Sequence, residues 1–120
     1  MRQPFHAENR TNGLTGLPAG GHVRAVGLSI NWQDGPLRDE RGTHENGAFV
    51  ETVIAAAMQR IEWYQTVADG RFSCAENAEA IAHLASALDA LDRRTARRTD
   101  AGVEGTHEPA PGDAGYGEEG

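Results

Sequence analysis

Bulky apolar side chains are too scarce in this sequence for one copy of the chain to build a large core. Seven Leu, four Ile, six Val and three Phe make 20 of 120 residues, about 17%, below the one-fifth at which disorder becomes common. Alanine, with 19 residues, supplies much of the remaining apolar fraction. This composition predicts disordered ends, an Ala-rich folded middle and a homo-oligomer that completes the core. Eighteen acidic against eleven basic residues leave a net charge of −7, which argues against non-specific DNA binding, since that needs a basic face. No run approaches the roughly 20 apolar residues that span a bilayer, so no membrane partner is expected. The polar, Gly-rich start lacks an export signal, and the single Cys74 cannot form an internal disulfide; both point to the cytoplasm.

The chain divides by pattern. Residues 1–21, broken by Asn12-Gly13, Gly16, Pro18 and Gly20-Gly21, read as a disordered tail. From 22 to 33, Val26, Leu28, Ile30 and Trp32 alternate with polar or small residues, the period of a half-buried strand. Asp34-Gly35-Pro36 is a turn, and Leu37 to Arg41 is a short returning strand. Residues 48–66 form a first helix. Its stripe is Val50, Ile54, Ala57, Ile61 and Tyr64, with Phe49, Val53 and Met58 beside it, and Asn46 is placed to cap it. A second helix opens at Ser73 with Glu76 three residues on, a capping-box spacing. It carries Ile81, Leu84, Leu88 and Leu91 and runs to about Asp100. The expected fold is α+β and mainly α: a short N-terminal strand or β-hairpin, then an antiparallel two-helix hairpin. The folded domain spans 22–107, and 108–120 reads as a disordered acidic tail.

Candidate chemistry is sparse. Arg93, Arg94, Arg97 and Arg98 crowd the end of the second helix. Cations there interact favourably with the helix macrodipole, but four within six residues repel one another and make a bound anion attractive. Arg94 and Arg98 share one face, about 6 Å apart, a spacing that suits a phosphate or pyrophosphate. Tyr64 continues an apolar stripe, so core packing is its default reading. Asn77, in the first turn of the second helix, either serves a cap or bonds a ligand. The five histidines have no ligand spacing, so no metal is expected. Cys74 reads as a small buried thiol at the bend. No cofactor, paired-carboxylate or nucleophile constellation stands out, so the chain reads as no enzyme.

The order of motifs is distinctive. Ile30-Asn31-Trp32-Gln33-Asp34-Gly35-Pro36-Leu37 precedes the first helix, Arg60-Ile61-Glu62-Trp63-Tyr64-Gln65 closes it, and Phe72-Ser73-Cys74-Ala75-Glu76-Asn77-Ala78 opens the second. Arg94-Thr95-Ala96-Arg97-Arg98 and Gly102-Val103-Glu104-Gly105-Thr106-His107 follow. Over residues 26–107 this resembles the phage anti-Thoeris sponge proteins, which share a helical-hairpin domain with phage anti-CBASS sponges. The resemblance implies non-enzymatic sequestration of cyclic nucleotide immune messengers: cyclic ADP-ribose isomers, and cyclic di- or trinucleotides. It implies ring stacking by Tyr64, hydrogen bonds from Asn77 and pyrophosphate contacts from Arg94 and Arg98, with Thr106 in a second, cyclic-dinucleotide pocket. It also implies a dimer or a higher assembly, up to a hexamer, in the host cytoplasm. The sequence departs from the family pattern in a longer Thr66–Arg71 bend, in Ala90 and Glu79, and in Tyr64 where Phe is typical; the last keeps a stacking face.

Helix geometry adds a condition. Asn77 and Arg94 are 17 residues apart (94 − 77), about 25 Å at 1.5 Å per residue, so one chain cannot bring both to one small ligand. An antiparallel partner could, with two equivalent pockets per two-fold dimer. The alternative function is a structural or protein-interaction hairpin without a small ligand, because Ala/Leu stripes mostly serve packing.

Overall fold

A computed structural model describes residues 1–117 as two units. One joins Met1–Phe49 to the chain from Arg97 onward; the other is Val50–Ala96.

In the first unit, strands β1 (His6–Thr11), β2 (Pro18–Ala25) and β3 (Leu28–Asn31) form an antiparallel sheet in the order β1-β2-β3. The sheet begins inside the segment expected to be a tail. Its β1 residues alternate no apolar side chains, so they leave no period-2 signal. The Gly and Asn residues read as breakers close a hairpin instead. The Asn12 Oδ1 accepts the Leu14 and Thr15 amides at 2.8 and 3.1 Å, a side-chain mimic of a backbone turn. The single strand expected over 22–33 is two strands folded back at Val26-Gly27, with Ala25 opposite Leu28. Gly27 supplies the positive φ of 77° that this tight turn requires. The short strand expected near 37–41 is a two-residue hairpin, β4 (Arg38–Asp39) with β5 (Gly42–Thr43).

Side-chain hydrogen bonds hold the remainder of this unit. The Asn46 carboxamide accepts the Asp34 amide at 2.7 Å and donates to the Asp34 carbonyl at 3.0 Å. Asn46 therefore clamps the 34–36 turn and does not cap the first helix. Gln33 donates to the His44 carbonyl at 2.6 Å. Arg38 reaches the far end of the chain, donating to the Glu104 carbonyl.

Ala110 and Arg98 are the buried side chains of the described residues. Arg98, 4% exposed, is wrapped by the chain that follows its helix. Its Nη1 meets Asp113 at 2.6 Å, and its Nη2 donates to the Val103, Thr106 and Glu108 carbonyls at 3.2, 3.0 and 3.0 Å. Its Nε lies 3.3 Å from a Glu104 oxygen that accepts no hydrogen bond. Arg97 holds the other Asp113 oxygen at 2.8 Å and the Pro111 carbonyl at 2.6 Å. Residues 108–117, expected as part of a disordered tail, are thus a series of turns closed over two guanidinium groups; 118–120 lie outside the described residues. Composition hid this arrangement, because its acids serve as ligands to arginine.

In the second unit, α1 (Val50–Gly70) keeps helical dihedrals through Thr66. Val67 turns extended, and Ala68 and Asp69 take positive φ of 53° and 57°. Helix α2 runs Ala75–Asp100, its last turn lying in the first unit. Gln65 ties the bend: it accepts the Cys74 amide at 3.0 Å and donates to the Cys74 carbonyl at 3.2 Å. This clamp caps α2 in place of the expected Ser73–Glu76 box. Cys74 is exposed, not buried. Ile54, Ile61, Ile81, Leu84, Leu88 and Leu91 are half-buried. Both stripes thus keep part of their apolar surface open.

Two outcomes follow for the first unit. A Cβ on Gly21, at φ 134°, would stand 2.1 Å from the Glu8 carbonyl oxygen in β1. Gly21→Ala is therefore expected to cost about 1–3 kcal/mol, measured by chemical denaturation, with the β1 amides losing protection first. The Asp113 carboxyl is lowered to about 2 by the Ala110 amide and then by Arg97. A depressed carboxyl contributes stability above its unfolded value of 3.8 and loses it as pH falls through about 2. Protection factors of the 103–113 amides, taken against intrinsic exchange at each pH, are expected to fall between about pH 4 and pH 2. Asp113→Asn is expected to lower them at neutral pH and to abolish that acid step.

Candidate ligand-binding site

The candidate residues fall in both units. In the second unit, Tyr64 lies two residues before the end of the regular part of α1, where its ring is 39% exposed. Trp63 beside it is 41% exposed, with ring centroids 5.3 Å apart and planes tilted by 58°. The guanidinium carbon of Arg60 lies 4.4 Å from the Trp63 centroid and 5.0 Å from that of Tyr64. The two aromatics follow Arg60 by three and four residues, which puts all three on one helix face. The sequence reading passed over Arg60 as part of a motif, although that spacing was visible in it.

Asn77 is drawn to the same end of the hairpin by the neighbour of Tyr64. Its Nδ2 donates to Gln65 Oε1 at 3.1 Å and to the Phe72 carbonyl at 3.3 Å. Both donors of the amide are thus spent locally, and its Oδ1 is left as the acceptor for anything that docks there. The structure therefore holds Asn77 to Gln65, the sequence neighbour of Tyr64. Arg94 is exposed further along the continuous α2 helix, about 25 Å from Asn77 by helical rise. This chain does not bring it to that pair.

Arg98 and Thr106 belong to the first unit. Resemblance gives Arg98 a pyrophosphate contact, but here its guanidinium faces Asp113, Glu104 and three carbonyls. A phosphate could reach it only by displacing Asp113. Thr106 donates through Oγ1 to the Val103 carbonyl at 2.5 Å and accepts the Glu108 amide at 3.2 Å. It borders an open cleft of about 610 Å³ shared with Arg38, Arg41, His107 and the acids Asp39, Glu40 and Glu108. His44, 2.8 Å from Asp39, holds that carboxyl below its ordinary range by hydrogen bonding. The cleft's acids outnumber its arginines, and the Arg38 guanidinium and the Thr106 hydroxyl are already engaged by the Glu104 and Val103 carbonyls. Among the described residues, no three His, Cys, Asp or Glu side chains group to hold a metal.

No family model matches the chain. A curated protein of Bacillus phage SBSphiJ7, Thoeris anti-defense 1, is 44% identical over 80 residues, 67% of this chain and 52% of that protein. The chain thus spans about half the length of the curated relative it matches. This identity, over 67% of the chain, places the chain in the phage anti-Thoeris protein family.

Proposed function

We propose that the chain is a non-enzymatic sponge that binds cyclic nucleotide immune messengers in the host cytoplasm and keeps them from Thoeris effectors. Cyclic ADP-ribose isomers are its first ligand class, and cyclic di- or trinucleotides of CBASS signalling its second. What supports this reading is an exposed Tyr64 at the end of the helical unit where Gln65 and Phe72 hold the Asn77 amide, in a chain related to a protein named for acting against Thoeris. Stacking on Tyr64 and hydrogen bonding to Asn77 hold the heterocycle and ribose. Charge-assisted bonds from arginine hold the pyrophosphate.

The site is completed by a second copy. The open stripes of α1 and α2 need a partner to bury them, and an antiparallel partner brings its own Arg94 beside Tyr64 and Asn77. Arg94 carries the phosphate contact here, because Arg98 is committed to Asp113. In this reading Arg98 acts chiefly by holding the Thr106 carbonyl at 3.0 Å, and the Thr106 cleft is the second, cyclic-dinucleotide site. Further copies extend the dimer to a higher assembly.

The test is direct. The protein is incubated with cyclic ADP-ribose, separated from free ligand and heat-denatured, and the released molecule is identified by mass. Intact cyclic ligand is expected; a linear product would mean catalysis, and no retained ligand in any cyclic nucleotide trial would leave a packing hairpin. Arg94→Ala is expected to weaken binding by about ten-fold or more, the worth of a charge-assisted hydrogen bond, with the molar mass from light scattering unchanged. Loss of the assembly would make Arg94 a structural residue instead.

A further inference from the structure

Arg60 stands out among the cations of the helical unit. It is exposed, and among the described residues its guanidinium makes no ion pair or hydrogen bond. It is nonetheless held in place, stacked 4.4 Å from the Trp63 centroid and 5.0 Å from that of Tyr64. We propose that Arg60 is a phosphate-contacting residue of the Tyr64 site, positioned there by Trp63, for a ligand that joins a flat heterocycle to a phosphate or pyrophosphate. This rests on the nucleotide reading given above.

Three features support it. A cation–π contact holds a guanidinium without using up its N–H donors, so Arg60 keeps them for an anion. Packing against two rings restricts the side chain, and less entropy is then lost on binding. Secondly, this cation is adjacent to the stacking ring, whereas Arg94 of the same chain is about 25 Å from Asn77 and Arg98 is buried against its own acids. Thirdly, Trp63 and Tyr64 are both about two-fifths exposed, and an aromatic pair left open beside an unneutralised charge matches a ligand with one flat and one anionic part. Arg60 and the partner's Arg94 would then grip the phosphates from two sides, which a pyrophosphate with two charged centres can use. Trp63 acts through Arg60 as a positioning residue.

The test compares wild type, Arg60→Gln and Arg60→Lys by calorimetry, using cyclic ADP-ribose as probe at several salt concentrations. Circular dichroism and light scattering confirm equal helix content and assembly. Arg60→Gln is expected to weaken binding about ten-fold or more and to flatten the dependence of affinity on salt. Arg60→Lys, which keeps the charge but not the planar fork, is expected to restore the salt dependence and only part of the affinity. Unchanged affinity in Arg60→Gln, while wild type binds, overturns the assignment and leaves the sponge reading standing. Weaker binding with an unchanged salt dependence also overturns it, since Arg60 would then merely shape the aromatic face. Wild-type protein that binds no cyclic ADP-ribose overturns the sponge reading for this ligand class, and this inference with it.

Discussion

The buried centre of the strand-bearing unit is a guanidinium group. Arg98 gathers Asp113, Glu104 and three carbonyls, and those contacts fold residues 103–113 back onto the end of α2. A chain with 20 large aliphatic or Phe residues in 120 has little else to close that end. Burying a charge is costly unless partners surround it, so the arrangement holds only with its acids in place. A planar fork of five donors can serve several acceptors at once, and an ammonium group could not hold the same set. The absence of lysine from this chain and the structural use of Arg98, Arg97, Arg38 and Arg24 fit together on this ground. Arg24, too, spends its guanidinium on the Ile30 carbonyl and the Asn31 side chain.

The helical unit answers the same shortage differently. Its stripes are spaced for helix pairing, yet they stay half-buried, and its bend is fixed by polar contacts from Gln65. Two non-glycine residues at positive φ, Ala68 and Asp69, each cost about 1–2 kcal/mol. A bend with that cost is maintained by what surrounds it, and here the Gln65 clamp on Cys74 is what holds it. The clamp also fixes Asn77, so the element that turns the chain is the one that prepares the candidate site.

Strong periodicity was legible in the sequence, and polar closure was not. The helices appeared because Ile81, Leu84, Leu88 and Leu91 recur at helical steps, and the C-terminal limit near Asp100 holds. The β1–β2 hairpin escaped notice because its faces are polar and its turn residues resemble linker. Residues 108–117 escaped for the same reason: acids followed by glycines read as solvated chain until their arginine partners are seen. Among the site residues, Tyr64 and Asn77 were reached through motif resemblance, and the fold holds Asn77 to Gln65, the sequence neighbour of Tyr64, which no spacing rule links to Asn77. Arg98 looked equivalent to Arg94 because helical spacing puts both on one face. What separates them is the returning segment, whose path depends on contacts far apart in sequence.

That separation sorts the arginines by what they touch. Arg24, Arg38, Arg97 and Arg98 are engaged by carbonyls or carboxylates of their own chain, and their charge is largely neutralised where they stand. Arg60, Arg71, Arg93 and Arg94 have no such partner among the described residues, and all lie in the helical unit that carries Tyr64 and Asn77. A chain with net charge −7 repels anionic ligands at long range, but within about a Debye length of 8–10 Å local charges dominate. Capture of a phosphorylated messenger by such a chain must therefore come from cations kept clear of its own many acids.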